Sequence, residues 1–311
     1  PAMPPTRRDL AFLAAGALAA AGPARAASRK FTSAFTPGSI GVKAGQSLAI
    51  QMAARHGFEA VQPFGEDLAK LSGSQLDDLK SELKSKGLQW ASAGMPVDFR
   101  GDESTFRAGL KALPEQAKVY ERAGVARIST WLRPMHDDLT YLEYFRIVSS
   151  RLREMATIVG DHGLRFGLEY VGTPSLRITQ RFQFVHTMAE TKELIAAAGR
   201  SNLGFVLDSW HWWTAGESAA DIRTLSNTDV VSADLNDAPT GLTMLEQKDN
   251  TRELPAATGV IPIAEFLRAL VEIGYDGPVR PEPFNKPLNE MEDEAASAKA
   301  SAAMKKAFAL A

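Results

Sequence analysis

Four carboxylates end short apolar runs in the second half of the chain. Glu169 follows Phe166-Gly167-Leu168, Asp208 follows Leu203-Gly204-Phe205-Val206-Leu207, Asp234 follows Val230-Val231-Ser232-Ala233, and Glu282 follows Val279-Arg280-Pro281. Runs of this length and composition suit strands buried on both faces, so each acid leaves at a strand terminus. If the termini meet, four carboxylates at close range cannot all stay ionised without a cation, because like charges raise one another's pKa. A divalent metal resolves that conflict. His211, three residues after Asp208, brings an imidazole to the same terminus, and Trp210, Trp212 and Trp213 can supply walls that exclude water. Alone, this stretch reads equally well as a strand-capping aspartate and a half-exposed histidine beside core tryptophans.

The elements that must position these residues alternate along the chain. Apolar runs at 39–42, 58–62, 88–93, 126–131, 164–170, 203–208, 230–234 and 278–282 are each followed by an amphipathic segment, at 46–56, 75–86, 105–123, 139–159, 182–198, 218–225, 263–273 and 291–309. Gly87, Gly124, Gly163 and Gly199 stand where a helix should hand back to a strand. Strict alternation demands parallel strands joined by right-handed crossovers, and eight such units make a (β/α)8 TIM barrel in a single domain, 27–311, the economical solution. A doubly wound open sheet is the alternative, but no glycine-rich nucleotide fingerprint follows an early strand. In a barrel the strand C-termini converge over the axis, which is what the four carboxylates require. The long irregular stretch 237–262 falls on the same side, where loops carry function.

The combination of Glu169 after strand five, Asp208-x-x-His211 after strand six, Asp234-Leu235-Asn236-Asp237 on strand seven and Glu282-Pro283-Phe284 closing strand eight resembles the sugar-phosphate isomerase/epimerase superfamily of xylose isomerase-like barrels. The resemblance implies one divalent ion, commonly manganese, held by the four strand-end residues Glu169, Asp208, Asp234 and Glu282, with Glu169 and Glu282 also exchanging protons with a substrate carbon. It departs at strand seven, where the family carries histidine and this chain carries Asp234. An all-oxygen shell favours manganese or magnesium over zinc or copper. His211 matches a substrate-contacting histidine. Arg252 stands where the family has an arginine before a glycine turn, although a surface arginine in a polar loop fits the sequence equally well. Asn236 shares a face with Asp234. Trp131, at the end of the fourth run, lines the pocket or fills the core. His56, His136, His162 and His186 fall away from the rim and read as structural or surface residues.

The expected reaction is proton abstraction beside a carbonyl through an enediolate, isomerising or epimerising a keto sugar or related carbohydrate. A β-elimination from the same intermediate, as in a lyase or dehydratase on a keto-glycoside or cyclitol, is the alternative, and a non-catalytic sugar-binding barrel is a third reading. The superfamily's DNA-repair endonucleases resemble histidine-rich three-metal sites with basic surfaces. Five histidines and a formal net charge of -2 over 311 residues argue against that reading and against nucleic-acid partners. A mean hydropathy of -0.16 and 45% hydrophobic residues are those of an ordinary globular protein. At the N-terminus, Arg7-Arg8 precedes an apolar alanine-rich segment and Ala24-Arg25-Ala26 forms a small-x-small cleavage pattern, so residues 1–26 read as a twin-arginine export signal. Export would place the mature chain in the periplasm or outside the cell, free of the membrane, and the resemblance suggests a homo-oligomer.

Overall fold

The computed structural model describes residues 28–311, so the export signal expected at 1–26 lies outside the described residues. Eight parallel strands form the frame: β1 Thr32–Phe35, β2 Ala60–Val61, β3 in two pieces at Gln89–Trp90 and Ala93–Gly94, β4 Arg127–Trp131, β5 Arg165–Glu169, β6 Leu203–Asp208, β7 Val230–Leu235 and β8 Pro278–Pro281. The first piece of β3 pairs with β2 and the second with β4. The ladder therefore begins and ends on the same segment, and with β1 paired to both β2 and β8 the sheet closes on itself as a barrel. Each crossover carries at least one helix, the alternation read from the sequence.

Local chemistry accounts for where the helices start and stop. Asp102 caps 103–123 by accepting from the Thr105 amide at 2.7 Å, and Ser72/Gln75, Thr140/Glu143 and Thr187/Glu190 form capping boxes. Gly87, Gly124, Gly163 and Gly199 all take positive φ, as their helix-ending positions require.

Two segments depart most from the sequence reading. The first strand is Thr32–Phe35, while 39–42 holds the end of a 3₁₀ turn at Pro37–Ile40 and Gly41 at φ 78°. Pro37 and Gly38 break the extended run, and the less hydrophobic Thr-Ser-Ala-Phe wins the strand because two neighbouring strands are there to pair with it. The segment 182–198 likewise divides: Phe182–Gln183 pairs antiparallel with Met135–His136 at the barrel rim, and only Met188–Ala198 is helical.

Between Leu235 and Ile263 the chain forms no helix or strand. It is pinned instead by Asp237, fully buried, whose oxygens accept backbone N–H groups of Ala238 (2.9 Å), Thr258 (2.9 Å), Gly259 (2.8 Å) and Ile261 (3.0 Å). A reciprocal backbone bridge between Asp237 and Glu253, 2.8 Å each way, fixes the neighbouring Arg252. No helix among the described residues is long and apolar enough to cross a membrane.

Candidate metal centre

The barrel register brings the acids together. Asp208 on β6, Asp234 on β7 and Arg280 on β8 are in-register neighbours across one row, and Trp131 on β4 pairs with Glu169 on β5. Glu282 extends β8 by one rung, its amide bonding the Leu235 carbonyl at 2.9 Å. Ligand oxygens of Glu169, Asp208, Asp234 and Glu282 all lie within 4.8 Å of one another, and His211 comes as close to Glu169 and Asp208. All five are buried. Gly172, just after β5, permits this approach, since a Cβ there would collide with the His211 carbonyl oxygen.

Each carboxylate has a different set of partners. Asp208 Oδ1 caps the helix Ser209–Thr214, accepting from the Trp210 amide at 2.6 Å, and takes the Asn236 amide at 3.0 Å; its Oδ2 accepts Arg252 Nη1 at 2.7 Å. Burial would raise its pKa, but the Arg252 guanidinium, with His211 and the hydrogen bonds adding, holds it well below the usual carboxylate range. Asp234 is gripped bidentately by Arg280, Nε to Oδ1 at 2.6 Å and Nη2 to Oδ2 at 2.7 Å. Glu282 receives what is left, Arg280 Nη2 at 2.8 Å and Arg252 Nη1 at 3.4 Å. Burial, only partly offset by Arg280, pushes Glu282 up to about 8. Glu169 has no such support: its Oε1 is buried without a hydrogen-bond partner, and burial together with Glu282, Asp208 and Asp234 raises it well above the ordinary value.

Arg252, which the sequence left open between surface and site, is completely buried, so a charged fork in a polar loop proves to be the hub. It bonds Asp208, Asp249 (2.8 Å) and His211 Nε2 (3.0 Å), and its guanidinium lies 4.5 Å from the Phe284 ring centre. An arginine can only donate, so His211 Nε2 accepts and the imidazole is the neutral Nδ1–H tautomer. Burial lowers the His211 pKa, in agreement. Phe284 reaches its place over Arg252 at φ 38°, a conformation uncommon outside glycine.

A cavity of about 450 Å³ opens over the cluster, walled by Glu169, His211, Arg252, Arg280 and Glu282, with Trp131 at its mouth. Trp131 is 41% exposed, a rim residue and not core filler, and the Arg100 guanidinium lies 4.4 Å from its ring centre. Asn236 departs from the expected substrate contact. It lies fully buried behind Asp208, off the cavity wall, its amide also donating to the Glu282 carbonyl at 3.4 Å while its oxygen accepts from Ser209 at 3.0 Å. Of the remaining histidines, His56 and His162 pair with Glu294 and Glu121 at the surface, and His136 and His186 also lie off this cavity wall. The sequence reading missed Arg280 and Asp249. Arg280 was accessible to it, since residues two apart on a strand share a face and Glu282 was already placed inward.

The donor set fits a divalent cation. It is all oxygen, it is buried, one oxygen lacks any partner, and five carboxylates of the cluster, Asp249 included, face only two guanidiniums.

Comparison with known proteins agrees with this geometry. Residues 50–307 match the family model described as "Xylose isomerase-like TIM barrel". The chain is 28% identical to the inosose isomerase of Halalkalibacterium halodurans over 233 residues, 73% of this chain and 77% of that protein. It is 25% identical to the 3-dehydroshikimate dehydratase of Pseudomonas aeruginosa over 76% of this chain, which spans 36% of that longer protein. A solved xylose isomerase domain protein from Alicyclobacillus acidocaldarius superposes with a TM-score of 0.78 at 30% identity, covering 90% of this chain and 99% of that one. With the family model spanning most of the barrel and the acids converging at the strand ends, the chain belongs to the xylose isomerase-like TIM barrel family.

Proposed function

We propose that this protein is a divalent-metal-dependent isomerase or epimerase of a keto sugar or related cyclic polyol ketone, working by proton abstraction beside the carbonyl. The observation that carries the reading is the pair Glu169 and Glu282, two buried carboxyls at the cavity floor that lack sufficient counter-charge and share the cluster with Asp208 and Asp234. A divalent ion on these carboxylates, with manganese favoured by the all-oxygen donors, would supply Lewis acidity to a carbonyl and its neighbouring hydroxyl, acidifying the carbon between them.

The chain's own residues do the rest. Glu169 removes the proton from that carbon, giving an enediolate, and Glu282 delivers a proton to the same carbon to epimerise, or to its neighbour to isomerise. His211, neutral and held by Arg252, walls the cavity without adding charge. Trp131 closes the rim against the hydrophobic face of a ring. The inosose isomerase relative supports this class. The dehydratase relative supports a second exit from the same intermediate, expulsion of a leaving group β to the abstracted proton. An export signal at 1–26 belongs to the same proposal and favours substrates without phosphate.

The test is elemental analysis of the folded, signal-free protein beside a Glu282→Gln variant, followed by incubation of inosose and keto sugars in deuterated water. About one manganese or similar ion per chain, lost in the variant, and deuterium at the carbon beside the carbonyl are expected. Absence of metal under replete conditions, with ligand binding but no exchange, would replace this reading with a sugar-binding barrel.

A further inference from the structure

Asp234 differs from the other three carboxylates in having both its oxygens taken by a single guanidinium. The guanidinium of Arg280 lies against it in the fork-to-fork geometry that gives the strongest arginine–carboxylate pairing. The pairing is built into the backbone, because the two residues are direct cross-strand partners on β7 and β8 and their side chains leave the sheet on the same face. Asp234 is completely buried, while Arg280 forms part of the cavity wall, and its Nη1 has no hydrogen-bond partner among the described residues. The same guanidinium reaches Glu282 through Nη2 at 2.8 Å. A positive charge thus already stands among the clustered carboxylates, covalently attached and unable to leave.

We propose that Arg280 is a resident cation of this site and that Asp234 is its anchor, not a metal ligand. A divalent ion, where it binds, is then held by Glu169, Asp208 and Glu282 alone, beside a fixed guanidinium on the cavity wall. This rests on the metal-dependent reading for the location of the ion, but it is a separate claim about the Asp234–Arg280 pair. Two consequences follow from charge. Removing the guanidinium alone frees Asp234 to act as a fourth ligand and relieves repulsion of an incoming cation, so affinity rises. Removing both members leaves the net charge and the three-carboxylate ligand set unchanged, so affinity stays where it was.

The experiment is calorimetric titration of the apo-protein with Mn2+ alone, in the wild type, Arg280→Gln, Arg280→Lys and the double variant Arg280→Gln/Asp234→Asn, with circular dichroism and melting curves showing that each is folded. Arg280→Gln should bind Mn2+ at least tenfold more tightly than wild type, Arg280→Lys should show no gain, and the double variant should lie within about threefold of wild type. An Arg280→Gln protein that binds no more tightly overturns the proposal. So does a double variant weaker than wild type by thirtyfold or more, since that would make Asp234 a ligand. A wild type that binds no Mn2+ removes the metal-dependent reading, and in that case acquisition of binding by Arg280→Gln still upholds the resident cation while its absence ends both.

Discussion

Asp208 and Asp234 stand side by side on β6 and β7, with Glu169 and Glu282 beyond them on β5 and β8, yet the two pairs differ in how close their counter-charges come. Each aspartate has its own guanidinium at 2.7 Å or closer, whereas Glu282 shares both arginines at longer or secondary contacts and Glu169 has neither. The same residue chemistry therefore does two jobs. The aspartates orient the two arginines and hold the floor rigid. The glutamates are left with charge that only a cation or a proton can balance, which is the condition a proton-transferring group needs.

The largest effect that separates the pairs is on turnover. Glu169→Gln or Glu282→Gln should lower kcat for the responsive keto sugar by about 10²- to 10⁴-fold, the usual contribution of a positioned acid or base, with the melting temperature unchanged or raised. Steady-state kinetics and calorimetry on the same preparations check this; a melting temperature that falls as far as for an aspartate variant would erase the distinction. Arg252→Met is the mirror experiment. It strands Asp208, fully buried, without its closest counter-charge, which costs about 3–5 kcal/mol in denaturant unfolding. A loss below about 1 kcal/mol would mean that the arginine is not the hub its contacts describe.

Proton linkage sharpens the same contrast. Glu282 is pushed by burial up to about 8, and Glu217, buried beside Tyr170, up to about 7. Both are protonated in the folded metal-free protein where the unfolded chain is already ionised, so the folded state binds more protons. Stability of the apo-protein therefore declines as pH rises from about 4.5 toward 8. Saturating Mn2+ should flatten the Glu282 share of that slope and leave the Glu217 share, and binding should release protons near pH 7. Melting curves from pH 5 to 8 with and without the metal measure this, and an identical slope in both would place the ion away from Glu282.

How much of this was legible in the sequence follows the range of the interactions involved. Strand ends are local: Asp208 and Glu282 announce themselves by terminating apolar runs, and the strand order of a barrel then dictates that they meet. Helix stops are local too, and Gly124 and Gly199 lie where they were expected. What escaped depends on partners far along the chain. Arg252 is indistinguishable from a surface arginine until Asp237 is seen to staple its loop, and β1 is too weakly hydrophobic to outrank Ser39-Ile40-Gly41-Val42 without its neighbours β2 and β8. Asn236 lies buried against Asp208 and off the cavity wall, because period-2 reasoning gives a face and not which side chains stand in front of it. Arg280 shares a strand face with Glu282, two residues on, but its partner Asp234 lies on the neighbouring strand, a pairing only the sheet register reveals.

The loop staple predicts the next effect in size. In Asp237→Asn the amide nitrogen would face backbone N–H groups that now have carboxylate oxygens to bond, leaving buried donors opposed to a donor. The cost should be about 1–3 kcal/mol in unfolding free energy, with KM rising more than kcat falls because Arg252 and the cavity wall loosen together. An unchanged KM at reduced stability would uncouple the staple from the site.

Trp131 tests the rim with the smallest change. It is 41% exposed and belongs to none of the buried clusters, so Trp131→Ala should move stability by no more than about 0.5 kcal/mol. Its ring faces the Arg100 guanidinium on the cavity wall. Under the proposed function an entering sugar ring must pass the exposed edge of this tryptophan at the cavity mouth, and the contact contributes equally to ground and transition states, since no charge develops there. KM should therefore rise several-fold with kcat nearly constant. A fall in kcat without a change in KM would mean that the tryptophan acts on the reacting carbon, and that the chemistry extends from the β5–β8 floor up to the end of β4.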